Sequence, residues 1–209
     1  MKFYVISPPD YNVNFSVENF EKITDIIPVN FFQFRPKFSS LKKRLQFVGK
    51  YYDGVREVCK KKKIKLIINN DFEIAENYNF DGIHLGENDK SCFEAKKKFG
   101  EKFIVGVSCM NSFVKYKKAL KQGADYVAFG SVFKSKTKSK KAIYPDNIVV
   151  IKKKIKLPFT LIGGINHNNI LSLKDLKPNN VAVIGSIWDY EENPVFSANL
   201  FKKILGKVI

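Results

Sequence analysis

A chain of 209 residues, 44% of them apolar, can bury a full core within one domain, 1–209, and the opening MKFYVISPPD reads as a strand whose apolar run is too short for a secretory leader or a membrane span. The formal charge of +17, from 37 Lys and Arg against 20 Asp and Glu, invites a nucleic-acid reading, but only Arg35, Arg44 and Arg56 are arginines, and base and phosphate recognition favours the arginine fork. Cys59, Cys92 and Cys109 are scattered with no C-x-x-C pair, so no disulfide framework or zinc site is expected, only buried thiols in a cytoplasmic protein without nucleic-acid or membrane partners.

In chain order, short apolar and β-branched runs predict strands at 3–7, 30–35, 65–69, 82–86, 103–108, 126–130, 159–164 and 181–187. Amphipathic spacing predicts helices between them, at 17–27, 41–61, 91–99, 112–122 and 168–176. Strands apolar on both faces and alternating with helices are parallel strands, and eight such units predict an α/β fold of the TIM (β/α)8 barrel type. An open doubly wound sheet is the competitor. Its opening G-x-G-x-x-G is absent, and Ser7-Pro8-Pro9-Asp10 stands in that place.

In a barrel the C-terminal strand ends converge on one face, so they can be read together. Strand two ends in Gln33, Arg35 and Lys37, one polar stripe on an extended segment. Such a stripe facing an apolar barrel is costly unless it meets an anion; otherwise Lys37 lies in solvent and Arg35 pairs with a carboxylate across the ring. Strand three ends in Asn69-Asn70-Asp71, and Asp89 follows strand four; together they offer oxygen ligands to Mg²⁺, although Asp89 also suits the cap of the next helix. His84, inside an apolar strand, reads as a satisfied core histidine. Ser108 closes strand five. After strand six the loop of 126–138, YVAFGSVFKSKTK, supplies hydroxyls from Ser131, Ser135 and Thr137 and the charge of Lys138 beside Gly130, the makings of an anion site. Gly163-Gly164 and Ile184-Gly185-Ser186 end strands seven and eight, where barrels of this class frequently bind phosphate.

These residues resemble the thiamine phosphate synthase family and its thiazole tautomerase relative TenI, over nearly the whole length. The family's Q-x-R-x-K appears as QFRPK, its strand-three end as IINND, its D-G-x-H-L-G segment as DGIHLGEND, and its later motifs as GVS at 106–108, GADYV at 123–127 and FGSVFKSKTK at 129–138. The resemblance implies a transferase joining a pyrimidine diphosphate to a thiazole phosphate with Mg²⁺. Gln33, Arg35, Lys37, Ser108, Thr137 and Lys138 would then hold the diphosphate, with Arg35, Lys138 and Ser108 catalytic. Asn69, Asn70 and Asp89 would surround the metal, with Asn70 and Asp89 as ligands. Ser135, Gly164, Ile184 and Gly185 would face the thiazole phosphate.

Two departures from the family pattern stand out. Asn70 stands where the family has a metal-binding aspartate, and Asp71, one place along, points to the opposite face of a strand. Lys134 and Lys136 replace prolines, making the loop more basic. A tautomerase would need one phosphate site and no diphosphate clamp, and a catalytically silent barrel binding an acidic partner through its lysines is a third reading. Partners are therefore phosphorylated small molecules, with a homo-oligomer left open.

Overall fold

The computed structural model describes residues 1–134 and 154–206, and within them the chain forms the closed parallel barrel expected. The order is β1 (Lys2–Ile6), α1 (Val17–Ile26), β2 (Val29–Phe34), α2 (Leu41–Lys62), β3 (Lys65–Asn69), α3 (Phe72–Asn77), β4 (Gly82–Leu85), α4 (Cys92–Phe99), β5 (Ile104–Met110), α5 (Phe113–Lys121) and β6 (Tyr126–Phe129). There follow β7 (Phe159–Ile162), a 3₁₀ segment (Ile170–Leu176), β8 (Asn180–Val183), α6 (Gly185–Trp188) and α7 (Pro194–Gly206). Each strand pairs with the next in parallel, and β8 returns to β1 with Phe3 opposite Val181 and Val5 opposite Val183. The ring has no open edge.

Helix starts are written into the sequence. The side chains of Ser16, Ser40, Asp71, Ser91 and Ser112 each accept a hydrogen bond from the backbone N–H three residues on, satisfying a donor that a helix's first turn leaves orphaned. Helix α3 and the C-terminal helix α7 are additions to the predicted elements. The segment at 168–176 is 3₁₀ rather than α-helical: its buried residues Ile170, Leu173 and Leu176 recur every third position, and three residues per turn is the period that places them on one side. The predicted strand 181–187 stops at Val183, because Gly185–Trp188 turns into α6 and buries Trp188, whose Nε1–H donates to the Ile6 carbonyl at 2.7 Å.

Alternation along the strands divides the core in two. Outward residues such as Phe3, Val5, Phe32, Leu66, Val127 and Leu161 join the helices in one large apolar layer. Inward residues form a smaller cluster of Tyr4, Ile6, Phe31, Ile67, Tyr126 and Ala182. The three cysteines are buried and their thiols are pushed up by desolvation, Cys59 and Cys109 to about 12 and Cys92 to about 11, which keeps them protonated and unreactive as expected. Among the described residues no helix is long and apolar enough to cross a membrane.

Filling the interior depends on one missing side chain. A Cβ on Gly106 of β5 would run into the ring of Tyr126 on the neighbouring strand. Replacing Gly106 with Ala is therefore an overpacking mutation that should cost about 1–3 kcal/mol of stability. Urea denaturation of the Gly106→Ala variant checks this, and an unchanged midpoint would contradict the packing described.

Candidate functional site

The C-terminal strand ends surround a cavity of about 190 Å³ that opens at the barrel mouth. Of the residues expected there, Gln33, Arg35, Lys37, Asn69, Asn70, Asp89 and Ser108 all line it. Gly164 and Gly185 lie in the connections that follow β7 and β8 but do not line this cavity, and Ile184 packs against the inner apolar cluster. Ser135, Thr137 and Lys138 lie outside the described residues.

The β2 stripe is held by its neighbour. The Ser7 backbone N–H donates to the Gln33 carbonyl at 2.8 Å, and the Ser7 hydroxyl oxygen accepts from the Arg35 N–H at 2.8 Å, which carries the β1–β2 pairing one step past the strands. Arg35 is thereby set on the rim, half-buried, and desolvation lowers its pKa from the ordinary guanidinium value. Among the described residues its guanidinium has no ion pair and no hydrogen bond, so the carboxylate across the ring that would have offered an alternative is not found there. A half-buried cation turned toward a cavity is poised for an anion. Lys37 is exposed at the edge of the same cavity.

The end of β3 explains how neighbouring residues part. Asn70 adopts a left-handed backbone with φ 48°, a conformation that asparagine tolerates better than most residues. Asp71 is drawn away: it caps α3 through a 3.1 Å bond from the Ile74 N–H and pairs with Arg44 at 2.6 Å. Asn70 instead donates its amide to Asp89 Oδ1 at 2.8 Å, while its Oδ1 accepts from Asn69 at 3.0 Å. Asp89 also accepts from the Gly86 N–H at 2.5 Å. It is not a helix cap; Ser91 takes that role in a reciprocal capping box with Glu94. One carboxylate and two carboxamides make a set of hard oxygen donors, and among the described residues no three of His, Cys, Asp and Glu gather into a denser cluster.

The floor of the cavity is polar in a way the sequence motifs did not announce. His84 has both ring nitrogens engaged, Nδ1 with the Tyr126 hydroxyl at 3.0 Å and Nε2 with the Ser108 hydroxyl at 2.9 Å. It is thus satisfied, as expected, and also faces the cavity. Tyr126 bonds to Tyr4 at 2.8 Å, and the Gln33 amide donates to Tyr4 at 2.6 Å. Burial raises the pKa of both phenols well above the ordinary tyrosine value, so both stay protonated. Tyr4 and Tyr126 were readable only as core aromatics. The signal that separates them is register: each occupies an inward position, Tyr4 two places before Ile6 and Tyr126 opposite Gly106.

A bulge in β5 sets Ser108. The pairing with β6 slips between Ser108 and Met110, whose φ is 53°, leaving Ser108 on the cavity and Cys109 fully buried. Ser131 departs from expectation, since its hydroxyl donates to the Phe133 carbonyl at 2.7 Å and is not a spare donor. Gly163 and Gly164, with φ 108° and 65°, serve close packing: a Cβ on Gly164 would lie 2.9 Å from Phe133 Cβ, and one on Gly163 would meet Ser131.

Comparison with known proteins places this geometry in a context. The model of the family described as thiamine monophosphate synthase matches residues 3–187. The thiamine-phosphate synthase of Pelagibacter ubique is 38% identical over 192 residues, covering 89% of this chain and 88% of that protein. That of Nitrosococcus oceani is 35% identical over 158 residues, covering 75% of this chain and 70% of that protein. Among solved structures, thiamine phosphate pyrophosphorylase from Pyrococcus furiosus superposes with a TM-score of 0.81 at 25% identity, over 100% of this chain and 96% of that one. A 3-hexulose-6-phosphate synthase at 14% identity and a TM-score of 0.63, covering 98% of this chain and 99% of its own, shares the fold alone.

If the Arg35 guanidinium is the anion anchor of this cavity, neutralising it should weaken inorganic pyrophosphate binding by about ten-fold or more, the scale of a lost charge-assisted contact. Calorimetric titration of the Arg35→Gln variant against the parent protein reads this directly. Equal affinity would remove Arg35 from the anion site.

Proposed function

The chain belongs to the thiamine monophosphate synthase family, and from that premise we propose that it joins hydroxymethylpyrimidine diphosphate to thiazole phosphate, releasing pyrophosphate and forming thiamine phosphate. The observation that carries this reading is the half-buried guanidinium of Arg35, without an ion pair or hydrogen bond among the described residues, in one cavity with Gln33 and Ser108. A diphosphate departing as pyrophosphate gains charge as its bond to the pyrimidine methylene lengthens. Fixed donors already aimed at that position lower the barrier, because they need no reorganisation when the charge appears.

In this reading Arg35, Lys37, Gln33 and Ser108 bind the diphosphate, joined by Thr137 and Lys138. Arg35, Ser108 and Lys138 stabilise the leaving group, and the methylene carbon, left electron-poor in a dissociative substitution, is attacked by the thiazole nitrogen. No side chain need serve as a nucleophile. Ser135, Gly164, Ile184 and Gly185 take the thiazole phosphate, an assignment that rests on their positions after β6, β7 and β8. The clamp on two phosphoryl groups is what favours transfer over tautomerisation.

The residue types at the rim suit Mg²⁺, with the Asn70 amide turned over so that its oxygen, rather than the N–H that now donates to Asp89, faces the ion. Asp89 and Asn70 would hold it with Asn69 beside them, and the bound ion would supply positive charge to the diphosphate oxygens. Mg²⁺ takes one or two protein carboxylates and fills its other positions with water and phosphate, which suits a site with a single acid. The same reading makes the chain one domain, a cytoplasmic enzyme whose partners are phosphorylated small molecules.

Incubating the purified protein with both substrates and Mg²⁺ should yield thiamine phosphate and pyrophosphate in equal amounts, resolved by chromatography; formation of neither overturns the reading. A second expectation concerns Asn70. Its amide now donates to Asp89, so Asn70→Asp would set two carboxylates side by side, lowering the melting temperature without divalent ion and enlarging the rise that Mg²⁺ produces. Thermal melts with and without Mg²⁺ check this. An unchanged response would exclude Asn70 from the ion site.

A further inference from the structure

Five polar side chains cross the barrel floor in an unbroken line: Gln33, Tyr4, Tyr126, His84 and Ser108. The first three are 2%, 1% and 2% exposed, so their protons must be spent on one another rather than on water. Hydrogen bonds in such a line share one direction, and the direction is set at the end whose chemistry is fixed. Here that end is the Gln33 Nε2, which can only donate, and it donates to Tyr4.

Each following step is then determined. Tyr4, having accepted, gives its own proton to the Tyr126 oxygen. Tyr126 gives its proton to His84 Nδ1. The imidazole therefore carries its hydrogen on Nε2 and donates to the Ser108 oxygen, which leaves the Ser108 proton to point into the cavity. Run the other way, with Ser108 donating to His84, the line would end on a Tyr4 proton buried between two donors. An unsatisfied buried donor costs about 1–3 kcal/mol, enough to hold the line in the first direction.

We infer that Tyr126 and Tyr4 are positioning residues: acting through the Nε2–H tautomer of His84, they hold the Ser108 hydroxyl as a donor aimed into the cavity, toward an anionic oxygen. The inference goes beyond the proposed reaction and rests on it only for the identity of that anion. It gives the interior tyrosines a task distinct from packing. A hydroxyl free to turn would spend part of its time as an acceptor, repelling the leaving group it is meant to stabilise. Fixing its direction in advance removes that loss.

The chain has only two histidines, His84 and His167, so nitrogen-15 imidazole spectra of the intact protein are simple to assign, with His167→Gln identifying the second. Wild-type protein without substrate should show His84 neutral with its hydrogen on Nε2. Tyr126→Phe keeps the ring over Gly106 but breaks the line, and should convert that spectrum to a mixture of tautomers. The same variant should bind inorganic pyrophosphate about three- to ten-fold more weakly, the range for one charge-assisted hydrogen bond made less available. A hydrogen on Nδ1 in the wild-type protein, or a spectrum unaltered by Tyr126→Phe, overturns the inference. If the wild-type protein makes no thiamine phosphate while the tautomer result holds, the reaction assignment falls and the positioning role stands.

Discussion

Closing eight parallel strands into a ring seals the interior everywhere but at its mouth, and the polar groups buried beneath the cavity must find their partners within a few ångströms. This confinement governs the site. Beside the apolar Phe31 and Ile67, across the cavity floor, Gln33, Tyr4, Tyr126, His84 and Ser108 satisfy one another in sequence. Arg35, one alternation beyond Gln33, meets no such partner among the described residues, and its charge is left facing the opening. The difference between a settled group and an expectant one is thus a matter of depth along a strand.

Much of the fold was legible because its signals are local. Apolar runs fixed eight strands, and amphipathic spacing placed α1, α2, α4 and α5 between them. What escaped were features decided by tertiary packing. The segment around Leu173 carried a helical pattern, yet its buried residues fall every third position, a period that only the surface beneath it selects. Ser186 and Ile187 fell within the apolar run read as strand, but that stretch turns into α6, where the Trp188 indole reaches the end of β1.

The candidate site shows the same division. Strand-end residues could be gathered by counting, since alternation and the barrel's polarity send Gln33, Asn69 and Ser108 toward one mouth. The parting of Asn70 from Asp71 was foreseeable from strand geometry, and the structure adds its cause: Arg44 and the first turn of α3 together claim the acid. Asp89 was harder. Its short spacing from a helix start suits a cap as well as a rim carboxylate, and only the presence of a better cap at Ser91 separates the two. Tyr4 carried no motif, and Tyr126 only its place in GADYV without a role; a tyrosine in an apolar strand announces packing, and its hydroxyl becomes informative only when the opposite wall is known.

The seam between the first and last strands carries more than ladder bonds. The Trp188 indole N–H reaches the Ile6 carbonyl, Asn14 donates to the Trp188 carbonyl at 2.9 Å, and Asn12 donates to Asp189 at 2.9 Å, all at the mouth and all linking positions more than 170 residues apart. Contacts of such long range cost the most chain entropy to form, so they are rewarded late in folding. The rim that would receive substrate is accordingly a product of ring closure itself: a chain that has built its helices and most of its sheet still lacks a finished mouth until the two ends of the ring are laced together.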